Sequence, residues 1–469
     1  MTARSTRGAS RSRVRSLWFG VAAAIIVSAG LTALGRTGSA SEGGDLPVVS
    51  PNRLDDAPLG AGDISSVVGN FAWRAFIALN WPSRLEADKR GVADRAKSLR
   101  DPGKRVWETF KSDAELFEVG DDGRPIAPAP WASYDGRNPC GVDNRAKTIA
   151  AFPPFADFNQ PSFAAGEPGN PLVAQNGAYT RYESHFNEPE FSTLAESGWS
   201  QGRNLPDEIH PAHFPVGSIA VKAAWRPLTA AETPALRARY YVETAEIVDV
   251  AKTLAAGRVI CTRADVALVG LHIVIKTKSR PQWVWSSFEH VDNVPPAGAG
   301  DAREPDARDA GAPYSYFDPS KPMKLWPPLG SANTLAVDWS NPPKLDPTPM
   351  QVVRRYPIHP STMALNRAYW ALPGVKGTVW EHYTLVGAQW PTSAAPPGPD
   401  NDGAFFPGRM DVSSAESESY RSTAKAQENL VNTTMETYLQ DLPSSCMACH
   451  QAVSNARGRD FVGILAGIR

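Results

Sequence analysis

The sequence predicts an α+β protein. It reads as a β-rich antiparallel body, opened by an N-terminal amphipathic helix and closed by a C-terminal helix that leads into a Cys-x-x-Cys-His pentapeptide. Three observations carry this. Residues 64–79 place apolar side chains at helical spacing, and several runs between 217 and 292 are rich in β-branched and aromatic residues. Residues 414–442 then return to helical spacing just before the pentapeptide at 446–450. With 42 Pro and 37 Gly among 469 residues, the remainder reads as turns and long loops.

The first 40 residues stand apart. Arg4, Arg7, Arg11, Arg13 and Arg15 precede an apolar run at 17–34, and Gly38-Ser39-Ala40 offers the small residues a signal peptidase accepts. This segment is expected to export the chain to the periplasm. It is either cleaved near Ala40 or, since the run reaches the length of a membrane span, kept as an inner-membrane anchor with the body outside.

The body is assigned to residues 41–412. Asp63 can cap its first helix, whose stripe is Ile64, Val67, Val68, Phe71, Ala72, Ala75, Phe76 and Leu79; Asn80-Trp81-Pro82 ends it. Residues 120–215 show no sustained period and read as loops with short elements. Strands are expected at 217–227, 239–249, 266–277 and 282–292. Residues 293–350 hold twelve prolines and read as a surface excursion or linker. A helix at 367–371 and a strand or hairpin at 377–390 follow, then a second Pro/Gly-rich stretch at 391–407. Residues 413–469 form the last segment. Tyr420, Ala424, Gln427, Val431, Met435, Tyr438 and Leu442 line one helical stripe, which Pro443 stops.

Charge excludes one class of partner. Six of the 48 basic residues lie in 1–40, where no acid occurs, so the remaining chain carries 42 basic and 49 acidic groups, a net of −7. No basic footprint for nucleic acid is present.

The pentapeptide Cys446-Met447-Ala448-Cys449-His450 is the attachment pattern for c-type haem. Each thiol adds across one haem vinyl group, and the adjacent imidazole lands under the iron as an axial ligand. Cys446 and Cys449 are therefore the expected covalent anchors of one haem c, and His450 the expected iron ligand. A zinc site would need a second ligand pair, and a thioredoxin-like pair would open a βαβ unit rather than lie 19 residues from the C-terminus. The export segment points to the same compartment, since this haem is attached outside the cytoplasmic membrane. Of the four cysteines, Cys140 and Cys261 remain; in an oxidising compartment they are expected to pair, the alternative being two separate buried thiols.

Beyond the pentapeptide, the stretches WEHYTLVGAQWP (380–391), NTTMETYLQ (432–440), SCMACH (445–450), VGLHIVIKT (269–277) and WVWSSFEHVDN (283–293) resemble a family of uncharacterised bacterial exported c-type cytochrome proteins. The resemblance spans about half of the chain after residue 40. It implies haem roles for Cys446, Cys449 and His450 and carries over no catalytic residue. The chain departs from small cytochromes c, which place the motif early and a ligand methionine downstream. No Met, Cys or His lies in 451–469, so the sixth iron position is expected to be open or water-bound unless a distant residue fills it.

A hairpin around 278–281 supplies the other candidate site. If Thr277 pairs with Gln282, then His272 faces Ser287, Gly270 faces Glu289, Val274 faces Trp285 and Lys276 faces Trp283, all on one surface. Val269, Leu271, Ile273, Ile275, Val284 and Phe288 would form the opposite, core face. His272 and Glu289 become diagonal neighbours, a candidate catalytic pair for proton transfer beside a haem, set against a plain half-exposed polar face. His290 falls on the core side. His210 and His213 have metal-like spacing among prolines that disfavour a helix, and His359 and His382 read as structural. The expected function is redox chemistry: a haem-linked oxidoreductase acting with a small-molecule substrate or redox partner protein, or else a non-enzymatic electron carrier or haem-based sensor.

Overall fold

Helix α1 (Ile64–Leu79) forms over the residues whose spacing predicts it. In the computed structural model, the described residues are 64–149, 171–207, 210, 212–277, 283–295, 313–321, 337–338, 344–345, 348–389, 430–437, 440, 446, 450, 460 and 462–464. All belong to one unit, Val48–Arg469. The expected export segment at 1–40, residues 414–429 of the expected last helix, and Cys449 lie outside the described residues.

After α1 come β1 (Lys111–Ser112), α2 (Asp113–Leu116), β2 (Lys147–Ile149), β3 (Arg181–Phe186), α3 (Glu188–Glu196) and β4 (Ile219–Pro227). They are followed by α4 (Pro234–Arg237), β5 (Val242–Val248), α5 (Val250–Ala256), β6 (Cys261–Ile275) and β7 (Val284–His290). The last described elements are β8 (Val337–Asp338), β9 (Lys344–Leu345), α6 (Pro360–Trp370) and β10 (Tyr383–Gln389). One sheet runs β1-β3-β4-β6-β5-β2, with β7 on β6 and β10 on β7. Strand β6, 15 residues long, is its spine: one half pairs with β5 and the other with β7. Pairing is antiparallel except between β2 and β5, so the body is a mixed sheet rather than wholly antiparallel. The β-rich α+β class stands.

The hairpin register is the one the alternation implies. Gly270 faces Glu289, His272 faces Ser287 and Val274 faces Trp285. Pairing stops at Ile275 and Val284, because Trp283 takes a left-handed φ of 73°, though the Lys276 ammonium still lies 5.5 Å from the Trp283 ring. The six residues expected on the core face are all buried. Against Phe288 packs α1: Phe76 stacks on it at 4.3 Å, and Trp73 stacks on Tyr369 of α6 at 4.9 Å.

Two expectations are corrected. From Val68 onward, only Asn70 and Arg74 of α1 reach solvent even partly, so this part of the helix is buried on all sides rather than along one stripe. It lies between the sheet and α6, and Gly69 admits Leu365 so closely that a Cβ there would stand 2.6 Å from it. The second correction concerns the last helix. Residues 430–437 form a single turn, not a continuing helix. Asn432 starts that turn: its Oδ1 accepts from the Thr434 N–H at 3.0 Å and its carbonyl from the Glu436 N–H at 2.8 Å. Asn and β-branched Thr compete with helical bonding locally and favour such caps and turns.

Candidate functional site

Directly paired strand residues share a face. On the face opposite α1 the register therefore lays down three rungs across β3, β4, β6 and β7. One rung is Tyr182, Ala224, Gly270 and Glu289; the next is Ser184, Lys222, His272 and Ser287; the third is Phe186, Ala220, Val274 and Trp285. Sequence alternation assigns part of this face correctly but leaves open whether it meets solvent. It does so only in part, because the C-terminal segment crosses it.

The first rung lies under residues 432–435. Asn432 Nδ2 donates to the Phe288 carbonyl at 2.9 Å and to Ser287 Oγ at 3.2 Å. The Thr433 N–H and hydroxyl both donate to Glu289, and Tyr182 Oη donates to the Thr434 carbonyl. Arg354 supplies the counter-charge: it pairs with Glu289, which is 1% exposed, and Nη1 donates to the Val431 carbonyl at 3.3 Å. Met435 is buried in an apolar cluster with Tyr182 and Val269, in keeping with a core role.

The third rung is the floor for Cys446 and His450. Its four residues belong to an apolar cluster that also takes in Phe191, Phe214, Trp283, Cys446 and Val462. The His450 ring lies 4.4 Å from the Trp285 ring. Cys446 is a thiol, half-buried, and touches a second apolar cluster built by Ile358, Met363, Val386 and Leu430. Downstream, Asp460 pins the chain: its carboxylate accepts from the Phe214 N–H at 3.0 Å, and its carbonyl from Trp283 Nε1 at 3.0 Å.

Between these two covered rungs runs the polar one. Ser184, Lys222 and His272 are half-buried, and Ser287 is sealed by Asn432. His272 Nε2 faces Glu436 Oε2 at 3.5 Å. Burial would raise the Glu436 carboxyl, but His272, the Asn432 N–H and Lys222 together hold it below the usual carboxylate range. The expected His272–Glu289 pair is thus not formed. Glu289 is satisfied by Arg354 and Thr433, and Glu436, which sequence reasoning did not single out, takes its place beside His272. Only the turn at Asn432 brings Glu436 over the sheet, and no spacing rule in the sequence announces that turn.

His290 and His359 are structural. His290 is buried, stacks on Tyr240 at 3.8 Å and accepts from the Asp292 N–H at 3.1 Å. Burial pushes its pKa down to about 3. His359 caps α6. His210 is exposed and faces Asp207 at 3.4 Å, and His213 is exposed as well. Among the described residues, no group of three or more His, Cys, Asp or Glu is placed to hold a metal ion, and no helix is long and apolar enough to cross a membrane. Cys140 and Cys261 form a disulfide, with Cα atoms 5.6 Å apart.

No family model matches the chain, and neither a curated protein nor a solved structure matches it.

Proposed function

We propose that this is an exported mono-haem c-type cytochrome protein with a redox function, its haem joined to Cys446 and Cys449 and ligated by His450. The observation that carries the reading is the docking of Cys446 and His450 on the Phe186–Ala220–Val274–Trp285 rung. A flat apolar macrocycle needs apolar walls, thiols for its vinyl groups and an imidazole for its iron. Here a thiol sits where two apolar clusters meet, with an imidazole on the same rung. When bound, the haem supplies a one-electron carrier. The chain's own residues do the rest. The Trp285 ring lies against the His450 ring, and the two clusters cover Cys446 in part. One rung away, His272 Nε2 faces Glu436 Oε2 at 3.5 Å, an imidazole–carboxylate pair on the same sheet face as the pentapeptide residues.

Export to the periplasm is supported by the Cys140–Cys261 disulfide, since such bonds form and persist in oxidising compartments. The arginine-rich start and apolar run at 17–34 add the address.

The test is direct. Protein made with the c-haem maturation system should keep haem after denaturation and gain one haem mass, and Cys446→Ala with Cys449→Ala should abolish both. Haem that survives the double change would overturn the reading. CO binding by the reduced protein then separates an open iron, suited to substrate chemistry, from a closed one that only transfers electrons.

A further inference from the structure

Glu190 is fully buried, and neither of its carboxyl oxygens has a hydrogen-bond partner. Its place at the third position of α3 would ordinarily turn it back to cap the helix N-terminus. That role is closed to it, because the Asn187 N–H already donates to the Ile219 carbonyl at 3.0 Å. The next residue, Phe191, belongs to the apolar cluster that also contains Trp285 and Cys446.

The charged groups acting on Glu190 are Asp460 and Lys276, which pair with each other. From the remaining side, Lys111 lies 5.5 Å over the Phe191 ring but is committed to Glu115 at 3.3 Å and to the Ser133 carbonyl at 2.9 Å. Glu188 of the same helix is exposed. Burial, reinforced by the Asp460 charge and opposed by Lys276, pushes the Glu190 pKa up to about 8. The three groups differ in exposure: His213 is exposed, the Asp460 side chain is 12% exposed, and Glu190 has no exposure. His213 acts on Asp460 electrostatically, and its neighbour Phe214 is bonded to it.

We propose that Glu190 is a proton-uptake site coupled to electron transfer at the Cys446–His450 centre, supplied from solvent through His213 and Asp460. This rests on the haem reading above. When a diffusing one-electron donor converts the ferric centre to ferrous, the centre loses one positive charge. The Glu190 carboxylate then takes one proton from water by way of Asp460 and becomes a carboxylic acid. Oxidation by a one-electron acceptor returns the proton. One electron and one proton move together, so the buried region keeps its net charge.

The experiment is potentiometry of the full-length, haem-loaded protein against pH, for wild type, Glu190→Gln and Asp460→Asn. The wild-type potential should be level at lower pH and fall as pH rises through and beyond about 8, where Glu190 ionises in the oxidised state. The fall is at most about 59 mV per unit, the one-electron equivalent of a tenfold change in proton activity. Glu190→Gln should flatten this slope with the visible spectrum unchanged. Asp460→Asn should move the slope to lower pH, because Glu190 then ionises more readily. Reduced-minus-oxidised infrared spectra give a second readout that needs no variant: a carboxylic-acid carbonyl band should grow on reduction. A flat wild-type profile, a slope indifferent to Glu190→Gln, or no such band overturns the proposal alone. Absence of covalent haem overturns it together with the function on which it rests.

Discussion

Gly270 and Thr434 approach so closely that a Cβ on Gly270 would stand 2.4 Å from the threonine hydroxyl. Only a residue without a side chain lets the Asn432 turn lie flat on the sheet there. Gly270→Ala should therefore cost about 1–3 kcal/mol, the range for overpacking a filled site. Denaturant midpoints would measure it. Adding Thr434→Ala should return part of the loss; equal loss in the single and double variants would show that the contact is not the cause.

The Cys140–Cys261 bridge closes a sequence separation of 121. In the chain-entropy model a loop of this size contributes about 4–5 kcal/mol. Replacing both cysteines with serine should lower stability by an amount of that order. Non-reduced digests of oxidised protein should yield the linked peptides, and two alkylatable thiols in their place would contradict the bridge.

Arg354 is the counter-charge for Glu289, with side chains 11% and 1% exposed. Removing one partner of a buried pair leaves the other uncompensated and typically costs about 3–5 kcal/mol. Glu289→Leu should show such a loss, and Glu289→Leu with Arg354→Met a smaller one. Proteolysis should cut near residues 430–437 faster in the single variant, since Glu289 also holds Thr433.

His290 gives stability an acid limb. Its folded pKa of about 3 lies below the ordinary 6.5, so the unfolded chain binds the proton first. The neutral-His contribution is complete above about 6.5 and is lost as pH falls toward 3. At about 1.4 kcal/mol per unit, the loss approaches 4–5 kcal/mol. Unfolding free energies measured between these limits should decline more gently for His290→Gln; parallel declines would refute this.

Alternation, with a turn taken at 278–281, was enough to pair 270–275 of β6 with 284–289 of β7, because Leu271, Ile273, Phe288 and Val284 mark the core face without ambiguity. Strand β3 was not legible. Its inward residues Arg181, Glu183 and His185 are all buried, and such a run looks like surface until its partners are known. Lys147 supplies the charge, 2.7 Å from Glu183 and 2.8 Å from Glu108, and Trp225 Nε1 donates to Glu183 at 2.8 Å. The candidate site divides the same way. Cys446 and His450 are local motif residues and could be read directly. Glu436, Asp460 and Glu190 owe their roles to contacts across the fold, and helical spacing pointed the wrong way at Asn432 because the turn it nucleates overrides the stripe.

The crossing of the sheet by residues 432–435 also sets an order of events. Tyr182 must wait for a carbonyl 252 positions later in the chain, and Phe288 for an amide 144 positions later. Contacts this distant form only after long loops have closed, and they are slow for that reason. The β3–β4–β6–β7 face therefore stays uncovered until nearly the whole chain has been delivered. Its final closure is made by the segment that carries Cys446 and His450, so these two residues reach their places only as the fold is completed.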